Sequence, residues 1–296
     1  MRPRSRGVVA RGTAQAPQDE AWRRRVREAW EAAGSRWEHW EPVLMGSMNA
    51  VDPVLIRALD LTAGHRVLDF GCGIGDPALT IAPLVAPRGT VLAVDTSRPM
   101  IETARRRAKA RGVGNVRFRV SDVAHIDPDE RFDRIVARYG IMFPEDVEGL
   151  LIQLRRRLTA GGRVAFAVWG PRERNAYFGI VAEAARPFLA EPPPDPATQP
   201  HALRFADVRR LTRLVRRAGF RDVRAEGVQT PFVFQSGDQY ADLVMDVSGS
   251  TRELLQRLPA AARKRFREGV VRRAEEHRAG DVLRLPGFAW VVTAAR

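Results

Sequence analysis

The segment VLDFGCGIGDPAL, from Val67 to Leu79, constrains the fold more than any other stretch. An apolar run ends in three glycines within five positions, and a helix-forming run comes next. Glycine weakens regular structure, so such a cluster marks a backbone that must turn sharply or let a ligand come close. The flanking sequence extends the pattern. RVLDF (66–70), TVLAVD (90–95), NVRFRV (115–120), FDRIVAR (132–138) and RVAFAVW (163–169) read as strands. Helical patterns separate them at 77–85, at 98–111 behind a Thr96 or Ser97 cap, and at 145–158. The last puts Leu150, Leu151, Leu154 and Leu158 on one face and runs into a Gly161-Gly162 turn. Strand–helix alternation of this length predicts an α/β fold, a Rossmann-like doubly wound sheet with helices on both faces.

After Trp169 the pattern changes. A helix is expected over 176–190, a proline-rich loop over 191–200, a helix over 205–220, one or two strands within 221–234 and helical structure over 238–278. FAWVVTAA (288–295) makes a closing strand, antiparallel in an otherwise mostly parallel sheet. The organisation expected is a basic disordered tail (1–20), an N-terminal helical lid (21–62) and one domain (63–296). Helical insertions at about 173–218 and 238–278 would wall an acceptor pocket.

Cys72 is the only cysteine, which excludes an internal disulfide framework and a multi-cysteine metal site and fits a reducing cytoplasm. No apolar run approaches the roughly 20 residues of a membrane helix. The first residues, MRPRSRGVVARGTAQAPQ, lack the apolar centre of a secretory signal. The net charge of +14 invites a nucleic-acid reading, but Lys109 and Lys264 are the only lysines, and the arginines are scattered in short runs such as Arg105–Arg107 and Arg155–Arg157. They read as solvated helix faces; a nucleic-acid or anionic-membrane surface is the alternative.

In an open α/β sheet, ligands sit beyond the carboxyl ends of the strands, where the glycine loop lies. The dinucleotide fingerprint G-x-G-x-x-G would need its third glycine at Asp76, where a carboxylate opposes a pyrophosphate. Here the third glycine is Gly75, behind the acidic Asp69. DFGCGIG instead resembles the first motif of the class I S-adenosylmethionine-dependent methyltransferases. The resemblance implies that Asp69, Gly71, Cys72, Gly73 and Gly75 form the loop beneath the amino-acid part of that cofactor. Asp95, 20 residues beyond Gly75 and followed by Thr96, is similar to the carboxylate that accepts from both ribose hydroxyls, with an N-cap as its alternative role. Asp122-Val123 matches the adenine-edge position, Met100 would pack on the adenine face, and Arg138-Tyr139 would face the methionine moiety and the acceptor. RYGIMFPEDVEGLLIQLRRRLTAGGRVAFAVW and GDPAL resemble the ubiquinone/menaquinone-biosynthesis branch, although one aromatic is missing before Pro144 and Thr159-Ala160 replace a Lys-Pro pair. The resemblance covers about residues 40–180.

Methyl transfer from a sulfonium needs alignment and exclusion of water more than a catalytic triad. A base matters only where the acceptor must lose a proton, and Tyr139 and His39 are the candidates, with His125 behind them. Cytosine C5 methylation would need a nucleophilic cysteine outside the glycine loop. Enzymes that methylate base amines carry an Asp/Asn-Pro-Pro-aromatic motif where RYGIMF stands. The acceptor expected is therefore a small or medium organic molecule, with S-adenosyl-L-methionine as cofactor, no metal and no nucleic acid. The alternatives are a nicotinamide oxidoreductase, a non-catalytic cofactor-binding module and an RNA methyltransferase. Trp22, Val26, Trp30, Ala33, Trp37 and Trp40 fall on one helical stripe before the sheet. The stripe reads as a lid, as permanently packed core or as a membrane-surface helix. On the lid reading, Trp37, Trp40, Tyr139, Phe143 and Trp169 line the acceptor pocket.

Overall fold

A computed structural model describes residues 16–122 and 125–296. Its centre is a seven-stranded sheet: β1 (Arg66–Phe70), β2 (Thr90–Asp95), β3 (Val116–Val120), β4 (Phe132–Arg138), β5 (Leu158–Trp169), β6 (Arg221–Gln229) and β10 (Phe288–Ala295). The order is β3-β2-β1-β4-β5-β10-β6. The first five strands pair in parallel, and β10 runs antiparallel between β5 and β6. Val67, Leu68, Val91, Ala93, Val94, Ile135 and Val136 are fully or almost fully buried, as a sheet covered on both faces requires. Strand order reverses at β1, between β2 and β4. The carboxyl ends of β1, β2, β4 and β5 therefore open on one crevice.

Helices α3 (Ala78–Val85), α4 (Arg98–Ala110), α5 (Val147–Arg157) and α7 (Val208–Arg217) accompany the sheet. Ser97 caps α4, its hydroxyl accepting from the Met100 amide. Gly161-Gly162 is not a turn ahead of the strand. β5 already begins at Leu158, the register slips between Phe132 and Arg134, and Gly161 has φ +74°, so the glycines absorb a bulge.

Beyond β5 stands a second layer made of α6 (Ala176–Ala185), α8 (Gly237–Val247), α9 (Gly249–Arg257), α10 (Ala260–Glu275) and a small sheet ordered β7-β9-β8. Its strands are β7 (Phe232–Phe234), β8 (Arg278–Ala279) and β9 (Val282–Leu285). The helical region expected over 238–278 consists of three helices, because Ser248 caps α9 and Pro259 precedes α10. The strands β8 and β9 had no counterpart in the sequence reading.

Before the sheet come α1 (Ala16–Met48) and α2 (Asp52–Leu59). α1 begins inside the segment expected to be a tail; residues 1–15 lie outside the described residues. In the segment expected to be a lid, Trp40, Leu44, Met45 and Met48 are core; Leu44, Met45 and Met48 also line the crevice, together with the half-buried Trp30 and Trp37. No described helix is long and apolar enough to cross a membrane.

Candidate active site

The loop after β1 carries its three glycines at φ +70° (Gly71), +52° (Gly73) and +109° (Gly75), left-handed conformations that side chains resist. They serve different ends. A β-carbon on Gly71 would stand 3.3 Å from Gly140 Cα at the end of β4, so that position lets two loops approach closely. One on Gly75 would meet Leu79 and Ala104 at 3.0 and 3.3 Å, so Gly75 packs the loop against α3 and α4. At Gly73 the only neighbour within reach is Met100 Sδ at 3.7 Å, and both residues line the crevice. Gly73 is thus the least crowded of the three.

Asp95 closes the loop from the neighbouring strand. Its Oδ2 accepts from Gly73 N and its Oδ1 from Ser97 N, each at 2.9 Å. Burial pushes its pKa up, against these backbone donors. Asp69 lies beneath the loop rather than in it. It is fully buried, and its Oδ2 accepts from Ala78 N at 3.0 Å, which joins β1 to the first turn of α3. Asp76 pairs with Arg107 at 2.7 Å and with Arg111 at 3.4 Å, and Glu41 of α1 joins Arg107 at 2.5 Å. Cys72 is buried, and burial raises its thiol pKa well above the ordinary value.

The crevice is a cavity of about 2120 Å³. It gathers Gly71, Cys72, Gly73, Asp95, Thr96, Met100, Asp122 and Arg138 from the expected cofactor set, and Trp37, Tyr139, Phe143 and Trp169 from the expected pocket. Asp122 holds His125 Nδ1 at 2.8 Å. Val123 lies outside the described residues. Four expected site residues, Asp69, Gly75, His39 and Trp40, are absent from the cavity wall; the first two support the glycine loop from behind. His39 is exposed, edge-on to Trp40, and absent from the cavity wall. Trp40 is core, its Nε1 donating to Asp246 on α8 at 2.9 Å.

Past the loop the wall is aromatic. Tyr139 stacks on Trp169 with ring centroids 4.1 Å apart and planes 13° from parallel. Trp169 meets Phe178 and Phe232, Tyr177 stacks on Phe232, and Trp30 bridges Trp37 and Phe143. Tyr177, Phe178 and Phe232 escaped the sequence reading; the adjacent Tyr177-Phe178 pair after β5 was the available signal. His201 lines the cavity with Nδ1 accepting from Leu203 N at 3.0 Å, and burial lowers its pKa.

Among the described residues, three hydrogen-bond donors of this wall are buried without a hydrogen-bond partner: Trp37 Nε1–H, Arg138 Nε–H and the Tyr139 hydroxyl. The charge of Arg138 is met elsewhere. Its Nη1 reaches the Asp52 carboxylate at 3.1 Å and bonds Asn49. Burial pushes Asp52 up to about 6 while Arg138 pulls it down. No group of three or more metal-ligating side chains occurs among the described residues.

A methyltransferase-domain family model matches residues 67–162. The chain is 31% identical over 153 residues to aklanonic acid methyltransferase DauC of Streptomyces sp. strain C5, covering 50% of this chain and 67% of DauC. It is 30% identical over 143 residues to the ubiquinone/menaquinone biosynthesis C-methyltransferase UbiE of Ectopseudomonas oleovorans, covering 47% of this chain and 84% of UbiE. Across the leading curated relatives the match spans as little as 41% of the relative's own length. The crystal structure of YcgJ from Bacillus subtilis superposes with a TM-score of 0.51 at 20% identity, over 82% of this chain and 97% of YcgJ, a likeness of fold.

Proposed function

The chain belongs to the class I S-adenosylmethionine-dependent methyltransferases, and from that premise we propose that it transfers a methyl group from S-adenosyl-L-methionine to a small organic acceptor. The observation that carries the reading is the glycine loop, uncrowded at the Cβ position of Gly73 and bonded there to Asp95, in the wall of a large, aromatic-rich cavity. When bound, S-adenosylmethionine supplies a methyl group already activated on a positively charged sulfur. Gly71, Cys72 and Gly73 would give backbone contact to its amino-acid part. Asp95 has lone pairs left beyond its two backbone bonds and would accept from the ribose hydroxyls. Met100, Asp122 and Thr96 would bound the adenine end and Arg138 the other end, with Tyr139 facing the acceptor. The aromatic wall would exclude water and align the acceptor.

Two alternatives lose support. A dinucleotide needs free amides at the start of α3, but Pro77 has none, Ala78 N is taken by Asp69 and Leu79 N by Gly75 O. A base-amine methyltransferase would need a different sequence after β4. Calorimetry with S-adenosylhomocysteine tests the reading. Replacing Asp95 by alanine removes a charged acceptor worth about 1.5–3 kcal/mol, so Asp95→Ala is expected to lose about 10- to 150-fold in affinity. Unchanged affinity would reject Asp95 as the ribose anchor; no binding by the parent protein would reject the cofactor.

A further inference from the structure

Among the described residues, the buried cavity-wall groups without a hydrogen-bond partner are three donors and Asp76 Oδ2, and that carboxylate is already ion-paired with Arg107 at 2.7 Å. A buried donor without a partner is costly, so a wall that keeps several is matched to a ligand that accepts. The Tyr139 hydroxyl is the most constrained of them. Its residue is 6% exposed, its backbone sits at φ +57°, and its amide is fixed to Ala167 O at 2.9 Å. A bulky residue takes that left-handed conformation only where its surroundings enforce it. The enforcement comes from both sides: Gly140 packs against the glycine loop, and the ring is stacked on Trp169. The strained turn fixes a buried hydroxyl without a hydrogen-bond partner in a residue of the cavity wall.

We propose that the Tyr139 hydroxyl is a hydrogen-bond donor to an oxygen of the methyl acceptor, which is bound as an oxygen anion, a phenolate or an enolate, with Trp37 Nε1–H as a second donor. The proposal rests on the methyltransferase reading and adds the acceptor's chemistry to it. Burial holds the Tyr139 hydroxyl far above its ordinary pKa, so it keeps its proton and serves as donor, not as base. The acceptor gives its own proton to water before transfer. An electron pair of the anion, on oxygen or on the carbon conjugated with it, then forms the bond to the methyl carbon as the carbon–sulfur bond breaks. The broken bond's electrons stay on sulfur, and the sulfonium and oxyanion charges cancel. A donor rather than a base at this place holds the oxygen in line and leaves it nucleophilic.

The test uses the full chain saturated with S-adenosylhomocysteine, with 2-naphthol and naphthalene as probes. The parent protein is expected to hold 2-naphthol about 10-fold or more tightly than naphthalene, and the bound probe to show naphtholate emission. Tyr139→Phe preserves the stack on Trp169; it should keep cofactor affinity and melting temperature, bring the ratio of the two probes towards one and lose the naphtholate signal. Trp37→Phe should lower the same ratio by a smaller factor, and it carries the test if the tyrosine variant does not fold. Failure of the parent to distinguish the probes, or to bind them, overturns the proposal. So does an unchanged ratio in both variants, or an equal loss for both probes, which would mark a packing role. Absence of S-adenosylhomocysteine binding in the parent would overturn the cofactor reading itself.

Discussion

Asp69 carries a consequence that reaches beyond its own hydrogen bond. It is fully buried, one oxygen accepts from Ala78 N, and the other has no partner. Burial pushes its pKa up from 3.8 to about 7, against the pull of Arg138. Between those values the folded protein keeps a proton that the unfolded chain has lost. Folding is therefore favoured by protons, and stability falls as pH rises through that window, by about 1.4 kcal/mol for each pKa unit. Above about pH 7 the dependence ends. Asp69→Asn retains an acceptor for Ala78 N and cannot ionise. Melting curves of the two proteins from about pH 5 to 8 should diverge, the parent losing stability relative to the variant as pH rises. Parallel curves would show that Asp69 does not titrate there. Asp52, pushed up to about 6, contributes with the same sign but is present in both proteins.

α1 spans both roles that its tryptophan stripe suggested. Its last turns bury Trp40, Leu44, Met45 and Met48, and Glu38 and Glu41 tie it to Arg106 and Arg107 of α4 at 2.6 and 2.5 Å. Before Trp30 the described side chains, Arg24 and Glu28, are exposed. Removing residues 1–29 should leave melting and S-adenosylhomocysteine affinity close to those of the full chain. Removing residues 1–48 deletes four buried apolar side chains worth about 1.5–3 kcal/mol each, as much as a typical domain's whole stability. That protein should aggregate; a monodisperse, ligand-binding 49–296 fragment would show that α1 is accessory. The same helix marks where sequence reading ends. A spacing of three or four identifies the face that Trp37 and Trp40 share, but not what covers it: one meets the cavity and the other Asp246, far along the chain. The strands β1 to β4 and the glycine loop were legible nearly to the residue because apolar runs and glycine punctuation are local signals. The breaks at Ser248 and Pro259 were equally local but lay inside a long apolar-periodic stretch. His201 reaches the cavity only through the path of a loop, which no local pattern encodes.

At the scale of the whole molecule, the cavity draws on β1, β2, β4, β5, α1 and the second layer at once, so a ligand there should stabilise the fold as a unit. A ligand at 100 times its dissociation constant adds about 2.7 kcal/mol. For a chain of this size that corresponds to a rise of roughly 4–6 °C in melting temperature. S-Adenosylhomocysteine is expected to produce it, and NAD is not, because Asp76 is locked to Arg107 and the first amides of α3 are already bonded. The net charge of +14 complicates the comparison, since any polyanion gains some attraction to such a surface. Salt separates the two effects. Diffuse attraction between exposed charges is screened beyond about 8 Å at 0.15 M ionic strength and fades further as salt rises. A shift produced by contacts inside the cavity should persist. The measurement is therefore a pair of melting series, one per ligand, from low to high salt. A salt-resistant rise with S-adenosylhomocysteine, and none with NAD once salt is raised, is the expected result. A salt-resistant rise with NAD would return the glycine loop to the dinucleotide binders and overturn the assignment of the cavity.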